Sequence, residues 1–135
     1  MKTNTIGLIT VVIFIAFAAC SDETDDRDKF TGSWEVEEHS LIAFSPTDDY
    51  KVRIIKDGGT EHMVIITNFA NLDIDVTARV EGNLIEVYKQ GHNLFEFEGQ
   101  GELSGSIIVL DYTIASTQEG NDFFDHLRAE MTQSE

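Results

Sequence analysis

The segment LDIDVTARVE, residues 72–81, alternates without a break: Leu72, Ile74, Val76, Ala78 and Val80 interleave with Asp73, Asp75, Thr77, Arg79 and Glu81. Successive side chains of a strand point to opposite faces, so the pattern predicts one wall with a dry side and a wet side. No comparably long stretch of helical period occurs anywhere after residue 30.

Outward from this segment, short apolar-rich runs recur about every ten residues, separated by turn signals. Residues 34–44 and 50–56 flank Ser45-Pro46-Thr47-Asp48-Asp49, which holds the single proline. Asp57-Gly58-Gly59 leads to residues 62–69, and Glu81-Gly82-Asn83 turns into residues 84–89. Gln90-Gly91-His92-Asn93 leads to residues 94–101, and Ser104-Gly105 to residues 107–115. Glycine and asparagine reach the left-handed conformations such turns demand. The last segment, residues 123–132, is two-sided. Phe123, Leu127 and Met131 fit helical spacing, while Leu127, Ala129 and Met131 alternate with Arg128 and Glu130. The strand reading is preferred because it brings the number to eight. The expectation is an all-β fold, an eight-stranded antiparallel up-and-down barrel, since closure removes the exposed edges of an open sheet. A barrel of that size is either just filled by side chains or holds one small ligand.

The first thirty residues have a different character. Lys2 opens the chain, residues 6–17 are uncharged and almost wholly apolar, and Ala18-Ala19 supplies small residues before Cys20. This is the layout of a secretory signal over residues 1–19. As a helix, residues 6–19 would reach only about 21 Å at ~1.5 Å per residue, short of a hydrocarbon core of about 30 Å. Phe17-Ala18-Ala19-Cys20 resembles the lipobox of bacterial lipoproteins, with Phe17 in place of the usual aliphatic residue. The resemblance implies cleavage between Ala19 and Cys20 and a lipid on the Cys20 sulfur. Cys20 is the single cysteine, so an internal disulfide is excluded. One acyl chain anchors only marginally; the several chains of this lipoprotein class would hold the domain at a membrane. Residues 20–29 read as an acidic tether. Cys20-Ser21-Asp22-Glu23-Thr24-Asp25-Asp26 resembles the export signal of surface lipoproteins of the Bacteroidota, which implies a cell-surface location on the outer membrane. A periplasm-facing lipoprotein is the alternative.

The whole chain carries a formal charge of −16, with 25 acidic and 9 basic residues. Such a balance repels nucleic acid phosphates, so no nucleic-acid partner is expected. Residues 30–135 suffice for one domain. Phe30-Thr31-Gly32-Ser33-Trp34 resembles the opening strand of the calycin superfamily, lipocalins and fatty-acid-binding proteins. Asp111-Tyr112 is similar to a second lipocalin motif, and the chain as a whole resembles small calycin-like lipoproteins of the Bacteroidota. The resemblance implies that Trp34 plugs the closed end and that Arg128 packs over it.

Chemistry-bearing patterns are sparse. His39, His62, His92 and His126 lack metal-ligand spacing, and Asn121, Asp122 and Asp125 lack the remaining ligands of a calcium loop. No nucleophile elbow, phosphate loop or zinc-protease motif is present. The expectation is therefore no enzyme, no metal and no cofactor. Trp34, Phe69, Tyr88, Phe97 and Tyr112 are the candidates to line a pocket for a small hydrophobic ligand. The alternative is a filled barrel that docks an envelope protein or a glycan.

Overall fold

The computed structural model describes residues 24–43 and 47–135. Eight strands form one closed barrel in sequence order: β1 Gly32–Ser40, β2 Asp48–Lys56, β3 Met63–Thr67, β4 Val76–Glu81, β5 Leu84–His92, β6 Phe95–Ser104, β7 Ile107–Ser116 and β8 Phe124–Gln133. Every neighbouring pair is antiparallel, and β8 returns to β1 to close the ring. The expected all-β up-and-down barrel is the observed fold, and its two-sided last segment is strand β8.

The period-two pattern explains the inside of the barrel. Trp34 and Val36 of β1, Val52 and Ile54 of β2, and Val64 and Ile66 of β3 are buried, and the residues between them face outward or sit at intermediate depth. The same alternation brings Val76, Ala78, Val80, Ile85, Val87, Phe97, Ile108, Leu110, Tyr112, Ala129 and Met131 into one core. Each buried aliphatic or aromatic side chain contributes roughly 1.5–3 kcal/mol by leaving water.

The segment that decided the fold is strand only in its second half. Asn68, Ala70, Asn71 and Asp73 have φ between 54 and 57°, a left-handed conformation that breaks a strand. Residues 68–75 therefore form a loop with a short 3-10 turn, Phe69–Asn71. Leu72 comes out into solvent, while Ile74 still packs against the core.

The two ends of the barrel differ. At one end, which we call the mouth, lie the connections β1–β2, β3–β4, β5–β6 and β7–β8. At the other, the closed end, lie the remaining turns and the entering chain. Here Trp34 Nε1 donates to the Phe30 carbonyl at 2.7 Å, sealing the floor with two fully buried rings. The entering segment is fastened rather than loose. Arg27 Nη1 donates to the carbonyls of Asp57, Thr60 and Met63, each at 3.2 Å, and its Nε and Nη2 donate to the Asp25 carboxylate. Asp25 caps the 3-10 turn Asp26–Lys29 and also pairs with Lys56 at 3.2 Å. The Arg27 side chain beside it holds the Asp25 carboxyl well below the usual carboxylate range. Asp26 accepts the Gly82 N–H at 2.8 Å. Residues 25–29, expected as part of a tether, are thus packed on the barrel, because their carboxylates have basic and backbone donors to meet.

Candidate functional site

Just inside the mouth sits a buried acid. Glu38 follows Trp34 and Val36 on the inward parity of β1 and is only 7% exposed. Tyr50 Oη donates to its Oε2 at 2.6 Å and Tyr112 Oη donates to the same oxygen at 2.7 Å. Strand β1 is paired to β2 with Val36 opposite Tyr50, while Tyr112 reaches across from β7. Among the described residues, Oε1 accepts no hydrogen bond. Burial raises the Glu38 pKa, and the two phenol bonds oppose it with smaller effect. Burial likewise pushes both tyrosines far above their ordinary range, so they remain donors at any physiological pH. The cluster can hold a proton on Glu38 or present Oε1 to a donor from the mouth.

The proton balance of Glu38 predicts a pH dependence. An acid whose pKa is higher folded than unfolded binds more protons in the native state between the two values, so stability falls as pH rises through that window. The window opens above the ordinary value of 4.5. Glu38→Gln keeps an acceptor oxygen and removes the titration. Its unfolding free energy relative to the parent should therefore improve as pH rises from about 4 towards 7. Glu38→Ala should instead lose about 1–3 kcal/mol at every pH, because the buried Tyr112 phenol and the half-buried Tyr50 phenol lose their acceptor. Urea melts at several pH values check both. A parent-to-Gln difference that does not change with pH would show that Glu38 titrates normally.

Phe69 covers this cluster. The 68–75 loop carries its ring 4.7 Å from the Tyr112 ring and 5.5 Å, edge to face, from Phe97. Of the five aromatic positions expected to line a pocket, Trp34, Phe69, Phe97 and Tyr112 are inside and buried. Tyr88 is not with them. It shares the outward parity of Leu84 and is 38% exposed, next to a break in register between Val87 and Gln90. Arg128 is also outward. It stands opposite His39 in the β1–β8 register, whereas Trp34 stands opposite Gln133. A bidentate pair with Asp111, at 2.7 and 2.9 Å, occupies its guanidinium. The arginine is thus neither over the tryptophan nor at its depth in the barrel.

Among the described residues, open grooves on the exterior include the following three. One of about 660 Å³ runs along β1, β2, β7 and β8 between Glu35, Glu37, Lys51, Ile107 and Glu130. A second lies at the closed end beside Arg27 and His62, and a third over Tyr88 and Gln100. None is lined by Trp34, Phe69, Phe97 or Tyr112. Among the described residues no three His, Cys, Asp or Glu side chains form a metal-binding group. Asn121 Oδ1 accepts the Phe123 N–H at 3.1 Å, and Asp125 Oδ1 bonds the Ser40 hydroxyl at 2.5 Å. The cleavage and lipid sites expected at Ala19 and Cys20 lie outside the described residues.

Glu38 escaped the sequence reading because Glu37-Glu38 looks like a solvated acidic pair. The signal was the parity Trp34, Val36, Glu38, which aims the second glutamate inward.

No protein-family model matches the chain, and no curated protein does. Among solved structures, the chain is similar to a protein of unknown function from the DUF3598 family of Nostoc punctiforme. The two are 12% identical with a TM-score of 0.40. The match covers 79% of this chain and 48% of that one, so the chain spans about half the length of the neighbour.

Proposed function

We propose that the protein is an outer-membrane lipoprotein, carried on Cys20, whose barrel is an interaction module for another envelope protein. The observation that carries the second half of this reading is the packed interior. Phe69 packs against both Phe97 and Tyr112 at the mouth, and Trp34 and Phe30 occupy the floor. Side chains use the space a lipocalin-type ligand would need. A small hydrophobic ligand is the second reading, and one observation favours it. Phe69 rides on a loop rather than a strand, so it is the interior aromatic whose departure would open a pocket above Glu38.

The anchor rests on the lipobox-like Phe17-Ala18-Ala19-Cys20 and the acidic residues after it. The clasp of Arg27 supports this geometry from the other side. From Cys20 to Asp25 a fully extended chain reaches at most about 18 Å, at ~3.3–3.6 Å per residue. A lipid on Cys20 would therefore hold the closed end close to the membrane and turn the mouth away from it. The surface location follows from the acidic run, in which Asp22 and Glu23 directly follow the cysteine and Ser21. Asp25 and Asp26 already have work on the barrel.

In a bacterium that exports surface lipoproteins, the parent should take up labelled palmitate and be removed from intact cells by an added protease. Cys20→Ala should abolish the label, and Asp22→Ala with Glu23→Ala should retain the label and lose protease access. An unlabelled parent that keeps its leader would overturn the anchor. Native mass spectrometry of the purified parent separates the two readings of the barrel. A recurrent small adduct supports the ligand, and a bare mass supports the filled module.

A further inference from the structure

The mouth carries a surface that neither the core nor the anchor uses. Leu41 and Ile42 follow β1, Leu72 lies in the 68–75 loop, Leu94 lies between β5 and β6, and Phe123 and Phe124 introduce β8. All six are between 40 and 60% exposed. Every mouth connection therefore presents a large apolar side chain to water, which soluble surfaces do rarely in one place. Five of the six belong to one continuous stretch. The Leu41 N–H donates to the His126 carbonyl at 2.7 Å, the Thr117 N–H donates to the Leu94 carbonyl at 2.8 Å, and the Phe123 ring lies 6.1 Å from that of Phe95.

The charge around these residues is one-sided. Segments 37–43, 47–50, 67–76, 90–98 and 114–126, which build the described part of the mouth, contain eleven aspartates and glutamates and no lysine or arginine. Arg27, Lys29, Arg53, Lys56 and Arg79 lie towards the closed end, where several pair with acids. Of the other described cations, Lys51, Lys89 and Arg128 are paired with Glu35, Glu96 and Asp111. The molecule is electrically polarised along its axis, with basic groups concentrated towards the closed end and an excess of carboxylates around the apolar tips.

We infer that the mouth docks a basic, apolar segment of a partner protein, with leucine- or phenylalanine-like side chains set between the loop tips and lysines or arginines meeting the surrounding carboxylates. This deepens the interaction-module reading and rests on it. The charge pattern chooses this occupant over others. A second copy meeting mouth to mouth would oppose two rings of carboxylates, and anionic lipid head groups would be repelled in the same way. Electrostatic complementarity of this kind sets encounter rate and orientation, while the apolar contacts supply the dwell time.

The test uses the mature chain, residues 20–135, which contains every contact of the closed barrel, and a short dye-labelled amphipathic peptide of lysine and leucine. Fluorescence anisotropy should show saturable binding at about 50 mM salt that weakens at about 500 mM, where screening is strong. A glutamate–leucine peptide should not bind. The variants Leu94→Ser and Phe123→Ser, at exposed positions, should weaken binding about tenfold. Leu84→Ser and Ile107→Ser, at exposed positions near the closed end, should leave it unchanged. Equal losses from both sets would mean unspecific adhesion to an acidic protein and would overturn the proposal, as would no binding at all. Crosslinking the parent in intact cells keeps this outcome distinct from failure of the module reading. A partner captured equally by the parent and by Leu94→Ser/Phe123→Ser would preserve an interaction module while removing the mouth as its surface.

Discussion

Trp34→Ala should destabilise the domain by about 3–5 kcal/mol, the range for truncating a buried aromatic to alanine. Trp34 is completely buried at the floor of the barrel, where three changes coincide. Its ring leaves the apolar interior, a cavity opens beneath Val36 and Val52, and the Phe30 carbonyl loses the indole donor at 2.7 Å. That carbonyl is itself part of the plug, so the entering chain loosens with the floor. A domain of this size is stable by roughly 5–15 kcal/mol, so the loss is about a fifth of the whole at the least. Trp34 is the single tryptophan, and the variant is therefore followed by circular dichroism in urea rather than by fluorescence. The midpoint should fall with the slope unchanged, since the surface exposed on unfolding barely differs. Trp34→Phe, which refills most of the volume without the indole donor, should recover more than half of the loss. A Trp34→Ala midpoint within about 0.5 kcal/mol of the parent, the range typical of surface changes, would mean that the closed end is not sealed by this residue.

The barrel was legible because alternation survives translation into structure wherever a strand has one wet face. Residues 76–81 and 107–115 behave as their patterns say, and the two-sided segment at the end of the chain resolves as strand because Ala129 and Met131 have a core to face. The reading failed where backbone conformation overrode pattern. Leu72 and Ile74 continue the alternation of β4 on paper, but Asn68, Asn71 and Asp73 take left-handed φ, and the loop they make carries Phe69 to the mouth. It failed again where one inward parity position is polar. Nothing local distinguishes Glu38 from Glu37; what makes Glu38 special is the arrival of Tyr112 from a strand 74 residues away. Tyr88 shows the reverse case, an aromatic that composition suggests for a pocket and parity sends outward. The apolar tips of the mouth were each visible as single residues. Their common end of the barrel appears only once the topology assigns alternate connections to it.

Among the described glycines the closest approaches lie between β6 and β7, and they set the second large effect. Gly99 and Gly101 occupy inward positions of β6 opposite Tyr112 and Leu110, and neither has a side chain to offer the core. A Cβ on Gly99 would lie 2.5 Å from the Asp111 carbonyl oxygen and would also strike Tyr112 at its Cα and Cβ. Those atoms are backbone or rooted to it and cannot swing aside, so β6 and β7 would have to separate. Overpacking of this kind costs typically 1–3 kcal/mol, and Gly99→Ala should fall at about 3 kcal/mol because it pushes on the strand that carries Tyr112 to Glu38. Gly58→Ala provides the contrast. No atom lies within 4 Å of its added methyl, so its melt should stay within about 0.5 kcal/mol of the parent. The damage of Gly99→Ala should also be partly relieved by Tyr112→Phe, since the phenol then has no bond to Glu38 to lose and the ring can shift. Additive losses in the double variant would show that the glycine serves the strand pairing alone, while a shortfall of about 1 kcal/mol or more would tie the bare strand of β6 to the buried acid at the mouth.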